Sequence, residues 1–260
     1  MSFHRVGVSE MKKTLYALGL FILPQLLLGQ IMHVHKNDGT VEQFDIATID
    51  SITFGSAAGK MTWLGHASVK IVTNDNIVIY IDPYAGDDYS EPADLILVTH
   101  GHNDHNQVSK VTKKPNCLIY SGPGANVGGS KLAPGEHAEA LGISISAVHA
   151  YNSNHPKGTG VGFVLDINGI LLYHAGDTSK IDEMAELTAL NIDYALLCVD
   201  GIYNMSPEEA MQAAALIHPK KAIPIHVAPA NASAAEKQKN IDRFNPPNKL
   251  ILKEGDVIYL

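Results

Sequence analysis

The 260-residue sequence has little cysteine, few aromatics and no surplus of positive charge. Its two cysteines, Cys117 and Cys198, are too few for a disulfide framework and, lying within apolar runs, are expected to be buried packing residues. Nineteen Lys and Arg stand against 27 Asp and Glu, a formal net charge of −8. Such a chain lacks the basic face that a phosphate-backbone binder needs, so no nucleic-acid partner is expected. Charged residues make up 18% and hydrophobic ones 45%, a balance that excludes wholesale disorder. Past residue 29 no apolar run approaches the roughly 20 residues of a membrane-spanning helix. No repeat of solenoid period is present. What the sequence does hold in quantity is histidine, 13 residues, and these are unevenly spread.

The amino-terminal stretch has the layout of an export signal. Met11-Lys12-Lys13 is a basic start, Leu15 to Leu28 an apolar run, and Gly29 a small residue before Gln30. Residues 1–29 are therefore expected to be an upstream extension plus a cleaved signal, with a periplasmic or extracellular location and no membrane span after cleavage. Residues 30–59 form a small segment and linker. There Met32, Val34, Val41 and Phe44 suggest two strands around Asn37-Asp38-Gly39, and Gly55-Ser56-Ala57-Ala58-Gly59 is a small-residue linker. Residues 60–260 form the main domain.

That domain alternates strands, loops and helices. Val69–Thr73 and Ile77–Ile81 are β-branched runs around a polar turn, and Leu95–Val98 is wholly apolar. Val161–Ile167 and Ile170–Tyr173 flank the hairpin turn Asn168-Gly169. Ser206-Pro207-Glu208-Glu209 opens a helix with a capping box, and Ser233 to Phe244 reads as a second, more polar helix. Lys249–Leu252 and Val257–Leu260 read as closing strands. Many strands with few helices predict a layered α/β protein.

The chemistry gathers at strand ends. After Leu95–Val98 comes Thr99-His100-Gly101-His102-Asn103-Asp104-His105, with His100, His102, Asp104 and His105 inside six residues. Imidazole and carboxylate suit zinc and similar divalent ions. His149, Asp177 and His226 each follow an apolar strand, a placement that aims ligands into a shared site.

These residues resemble the metallo-β-lactamase superfamily. His100-x-His102-x-Asp104-His105 matches its defining motif, and His149, Asp177 and His226 match its later single-ligand positions. Trp63-Leu64-Gly65-His66-Ala67-Ser68 and Tyr173-His174-Ala175-Gly176-Asp177-Thr178 are similar to the branch of ascorbate-6-phosphate lactonase-like hydrolases. The resemblance implies a four-layer αββα sandwich with two divalent metal ions, zinc foremost, with manganese or ferrous iron as substitutes. It implies that His100, His102 and His149 hold one ion, that Asp104, His105 and His226 hold the other, and that Asp177 bridges them. Asp104 would also orient or deprotonate the attacking water, as a catalytic residue. Asp82 resembles a position that steadies a ligand His; His66 and His174 fit a supporting place or a purely structural one. Tyr151 and His155, after His149, and Tyr203, in a later loop, are candidate substrate contacts or plain loop residues.

The expected function is hydrolysis of a small-molecule lactone, ester or amide by metal-activated water. The alternatives are a small-molecule phosphodiesterase on the same site and a noncatalytic metal-binding protein. The sequence leaves the oligomeric state open.

Overall fold

A computed structural model describes residues 31–35, 40–48 and 57–260. The export-signal segment, the Asn37-Asp38-Gly39 turn and the first two linker residues, Gly55 and Ser56, lie outside them. Contacts divide the chain into two compact units, Met1–Ser56 and Ala57–Leu260. In the first, β1 (Ile31–His35) and β2 (Val41–Asp45) pair antiparallel, with Met32 opposite Phe44.

The second unit is two stacked mixed sheets. Its strands are β3 (Gly59–Gly65), β4 (Ser68–Thr73), β5 (Val78–Ile81), β6 (Ala93–Val98), β7 (Lys113–Ser121), β8 (Ser130–Lys131), β9 (His137–Ala140), β10 (Ile143–Ala150), β11 (Gly160–Ile167), β12 (Ile170–His174), β13 (Tyr194–Cys198), β14 (Lys221–Ile225) and β15 (Val257–Tyr259). One sheet runs β15-β3-β4-β5-β6-β7-β8 and the other β14-β13-β12-β11-β10-β9. Period-two alternation builds the core between them: Leu95 and Leu97 of β6 meet Phe163, Leu196 and Ile223 from the facing sheet. The residues between, Ile96 and Val98, are buried on the opposite face. Coverage of both faces explains why β6 reads as an unbroken apolar run.

The helices cover the six-stranded sheet. In α1 (Pro207–Ile217) Ser206 caps the first turn by accepting from Glu209 N, and Ala210, Ala213, Ala214 and Ile217 are buried. A three-turn 3-10 segment, Asp182–Leu190, buries Met184 and Leu187 in the same cluster. The polar helix α2 (Ala234–Arg243) starts at a complete capping box of Ser233 and Glu236. It is tied to α1 by Arg243, whose Nε and Nη2 donate to Glu208 at 3.0 and 2.7 Å. The outer face of the seven-stranded sheet is covered by loops rather than α-helices among the described residues; Tyr89, Val111 and Ala125 pack there.

Three expectations change. Lys249–Leu252 is not a strand: it makes one isolated bridge, Lys249 opposite Ala222, with Ala222 N donating to Asn248 O and Leu250 N to Ala222 O, and Leu252 pairs with no strand. Ala58 and Gly59, read as linker, belong to the second unit, Ala58 N donating to Leu260 O at 2.8 Å. Cys117 is only half-buried, whereas Cys198 is fully buried.

The turn before Asp177 needs glycine. Gly176 has φ +62°, and a Cβ there would lie 2.8 Å from Val161 O and 3.0 Å from Thr99 Cβ. Gly176→Ala is expected to lower unfolding free energy by about 1–3 kcal/mol in urea denaturation. An unchanged midpoint would show that this turn relaxes freely.

Candidate metal centre

The candidate residues collect where the two sheets' strands end. Three of those ends turn through left-handed backbone at a non-glycine residue: His66 after β3 (φ 50°), Asp82 after β5 (φ 46°) and His226 after β14 (φ 44°). Such conformations cost of order 1–3 kcal/mol each and persist where the surroundings fix them. Here His226 N donates to His66 O at 2.9 Å, joining the ends of the two sheets, and Asp82 N donates to Leu97 O at 2.9 Å.

Ligand-type atoms converge in overlapping groups, within 4.8 Å of one another: His100, His102 and His155; His66, Asp104, His105 and His226; and His100, His105 and Asp177. His102 Nδ1 is 3.2 Å from His100 Nε2 and 3.1 Å from His155 Nε2. Asp177 Oδ2 is 3.4 Å from His155 Nε2, 3.6 Å from His226 Nε2 and 3.8 Å from His100 Nε2. Asp177 Oδ1 is 3.4 Å from His105 Nε2. Asp104 Oδ2 is 3.2 Å from His66 Nε2 and 3.8 Å from His226 Nε2.

The hydrogen bonds around the cluster decide which atoms present lone pairs to it. Asp82 Oδ2 accepts from His105 Nδ1 at 2.8 Å, and Asn152 Oδ1 accepts from His155 Nδ1 at 2.8 Å. Asp82 is itself held by Thr99, whose N and Oγ1 each donate at 2.7 Å. With the outer nitrogens donating, His105 Nε2 and His155 Nε2 turn bare lone pairs inward. His105 Nε2 and Asp177 Oδ1 are both buried without a hydrogen-bond partner. Facing acceptors with nothing to donate between them need a proton or a cation, and the donor set is one that divalent metals take. The residues therefore fit a metal.

A hydrogen-bonded chain backs both sides of the cluster. From Asn152, Nδ2 donates to Asn204 Oδ1 at 3.1 Å, and Asn204 Nδ2 donates to Asp200 Oδ2 at 2.7 Å. Asp200 Oδ2 stands 3.1 Å from His226 Nδ1, though not aligned for a straight hydrogen bond. Thus a line of side chains runs from His155 to His226 behind the cluster.

Charge is balanced inside the site. Burial alone would raise the Asp177 carboxyl; the imidazoles of His105 and His226 outweigh it and hold it well below the usual range. Burial opposes charge on His226, but Asp177, Asp104 and Asp200 push its pKa up to about 9. Burial, reinforced by neighbouring His105, pushes His100 down to about 3 despite Asp177 and Asp82.

Not every expected residue arrives here. His100, His102, Asp104, His105, Asp177 and His226 come together, and Asp82 stands behind His105. His149 does not join them. It lines a separate cavity with Tyr173, Glu183 and Met184, its ring 6.3 Å from that of Tyr151, and His155 occupies the place beside His100 and His102. The reason is local: β10 carries His149 inside its ladder, paired with Val161. The following loop then doubles back, with Asn152 Oδ1 accepting from the backbone N–H of Asn154 and His155. His66, expected in a supporting or purely structural place, lies among the ligand-type atoms. His174 has both ring nitrogens occupied, Nε2 donating to Ala67 O at 2.8 Å and Nδ1 accepting from Gly176 N at 3.2 Å, so it braces the turn before Asp177. Tyr151 Oη donates to Glu183, away from the cluster. Tyr203 is exposed at the rim, its carbonyl accepting from Asn152 and Asn154. Asp200 and Asn204 were not expected.

A family model described as a beta-lactamase superfamily domain matches residues 60–226, through the whole set of converging side chains. The chain belongs to the metallo-β-lactamase superfamily. A Thermococcus onnurineus protein is 32% identical over 229 residues, 77% of this chain and 99% of that protein. A Methanoregula boonei protein is 36% identical over 188 residues, 64% of this chain and 81% of that one. Both are named UPF0173 metal-dependent hydrolases. Among solved structures, a Parabacteroides distasonis protein assigned to the metal-dependent hydrolases aligns with TM-score 0.62 and 26% identity, over 87% of this chain and 99% of that one. The chain is a metal-dependent hydrolase of this superfamily.

Asp177, Asp104 and Asp200 push His226 up to about 9, so a cation entering there at pH 7 is expected to displace a proton. Calorimetric titration at pH 7 is expected to show release of roughly one or more protons per chain, with affinity falling as pH drops toward 5. Identical heats in buffers of different ionisation enthalpy would contradict this.

Proposed function

We propose that the cluster holds two divalent ions, most readily zinc, and hydrolyses a small-molecule lactone, ester or amide. His100, His102 and His155 would hold one ion. His66, Asp104, His105 and His226 would hold the other, and Asp177 would serve both. The observation that carries the reading is Asp177: its buried carboxylate lies within 3.4–3.8 Å of ring nitrogens from both groups. Zinc suits a set rich in imidazole with hard carboxylates, and manganese or ferrous iron would compete for it. Bound, such ions polarise a carbonyl oxygen and make water acidic enough to lose a proton near neutrality.

The chain's own residues supply the rest. Asp104 is a third exposed at its side chain, unlike the buried Asp177, so it faces incoming solvent and substrate. Burial would raise its carboxyl, but the imidazole of His226, 3.8 Å away, and a hydrogen bond from His66 keep it well below the usual range. A carboxylate held that firmly ionised orients a water by accepting its hydrogen bond and stores a proton only briefly. The proton then passes to the leaving oxygen or nitrogen. The Asp82–His105 and Asn152–His155 pairs fix two rings so that no reorientation is needed during reaction. Lactonase-like chemistry is favoured by the motif resemblance and by an acidic chain with no basic track for a polymeric substrate. We also take residues 11–29 as an export signal, which places the substrate outside the cytosol.

Elemental analysis of the purified chain is expected to give about two metal ions per molecule. Asp177→Ala should lose at least one ion and cut turnover by about 10³-fold or more on a panel of lactones, esters, amides and phosphodiesters. Full metal content with parental turnover would overturn the reading, and turnover confined to phosphodiesters would replace the carbonyl with phosphorus. His155→Ala should lose metal while His149→Ala keeps it. The reverse result would return His149 to the centre.

A further inference from the structure

A cavity of about 410 Å³ adjoins the cluster at His66, which is common to both. Its floor is Trp63 and Tyr84, and its wall is Val227 and Ala228, the two residues after His226. The rest of its lining comes from helix α2 and the loop before β15. Ile241, Ile251 and Leu252 make that part apolar, while the exposed Lys237 and Lys253 bring two ammonium groups that have no side-chain hydrogen bond or ion pair among the described residues, against one carboxylate, Glu254. The volume lies in the range that takes small organic ligands, and an apolar lining with a few polar groups is the usual composition of such sites.

The helix forming this wall is fastened to the cluster. Asn240 Nδ2 donates to Val227 O at 2.8 Å and to Asp200 O at 3.1 Å. Val227 follows His226, and Asp200 stands against its ring. The cavity is therefore held in register with the side chains that do the chemistry. Trp63 is part of the same register, its Nε1 donating to His66 O at 3.1 Å.

We propose that this cavity seats the unreacting part of the substrate, and that this part is an apolar chain or ring ending in a carboxylate received by Lys237 and Lys253. The inference rests on the hydrolase reading for what happens at the cluster, but binding in the cavity can be read separately. The apolar body fits between Trp63 and Ile241, where its burial gives affinity. The anionic end meets two ammonium groups against the single carboxylate of Glu254, a net positive end that selects against neutral analogues of the same shape.

Trp63 is the sole tryptophan and reports directly on this cavity. With the metal-loaded full chain, titration of 4-phenylbutyrate should change Trp63 emission saturably. The neutral 4-phenylbutanol should bind about tenfold more weakly. Lys237→Met with Lys253→Met should remove most of that preference, and Ile241→Trp should block both ligands while metal content stays parental. The Ile241 variant carries a second tryptophan, so its binding is read by calorimetry and its fold by circular dichroism. No saturable response overturns the proposal, as does equal binding of acid and alcohol. A response unchanged in the double lysine variant also overturns it, because the carboxylate would then sit on the metal cluster. A chain that binds 4-phenylbutyrate as expected but holds no metal supports the cavity while defeating the hydrolase reading.

Discussion

The rest of the site depends on one buried carboxylate surrounded by nitrogen lone pairs. Asp177 lies within reach of His100, His105, His155 and His226, which come from three loops attached to two different sheets. An ionised carboxylate at such depth is costly unless positive charge accompanies it. Without a cation that charge is a proton shared with His105 or His226, whose pKa values are raised accordingly. Either way the strand ends are drawn to one point. The sandwich supplies that point because its sheets pack face to face and their ends lie side by side.

Holding the strand ends there requires unusual backbone. His66, Asp82 and His226 all adopt left-handed conformations, which histidine and aspartate tolerate better than β-branched residues. Each is fixed by more than its own preference. Asp82 is bound by Thr99 and His105, and His66 O receives both His226 N and Trp63 Nε1. The strain is thus concentrated where side chains must be aimed, while the apolar strands behind them supply ordinary core burial.

Much of this was legible in the residues. The spacing of His100, His102, Asp104 and His105, and the habit of apolar strands ending in His or Asp, pointed to six of the side chains that converge. The same habit misled at His149, because β10 extends to Ala150 and keeps that residue within its ladder. The returning residue is His155, and its signal was the Asn152-Ser153-Asn154-His155 run, in which Asn152 makes a side-chain turn. Asp200 was within reach of the rule that chose Asp177 and His226, since it follows the buried strand β13 and Val199. Its role depends on a contact with His226 across the fold, and strand-end position alone does not rank one carboxylate over another. The closing strand expected at Lys249–Leu252 failed for a similar reason. Hydrophobic alternation marks a half-buried segment, but the extended pairing that makes a strand is decided by its neighbours.

Burial within the cluster is graded, and the gradient separates tasks that the residue types alone do not. His105, His155, His100 and Asp177 are all buried, whereas His102 is exposed and Asp104 is a third exposed at its side chain. The deep members are also the ones backed by fixed partners, His105 by Asp82 and His155 by Asn152. Geometry at depth is therefore set before anything binds. The outer members meet solvent and can move as a ligand enters. Asp104 joins the two regimes, hydrogen-bonded by His66 from within yet a third exposed to water at its side chain.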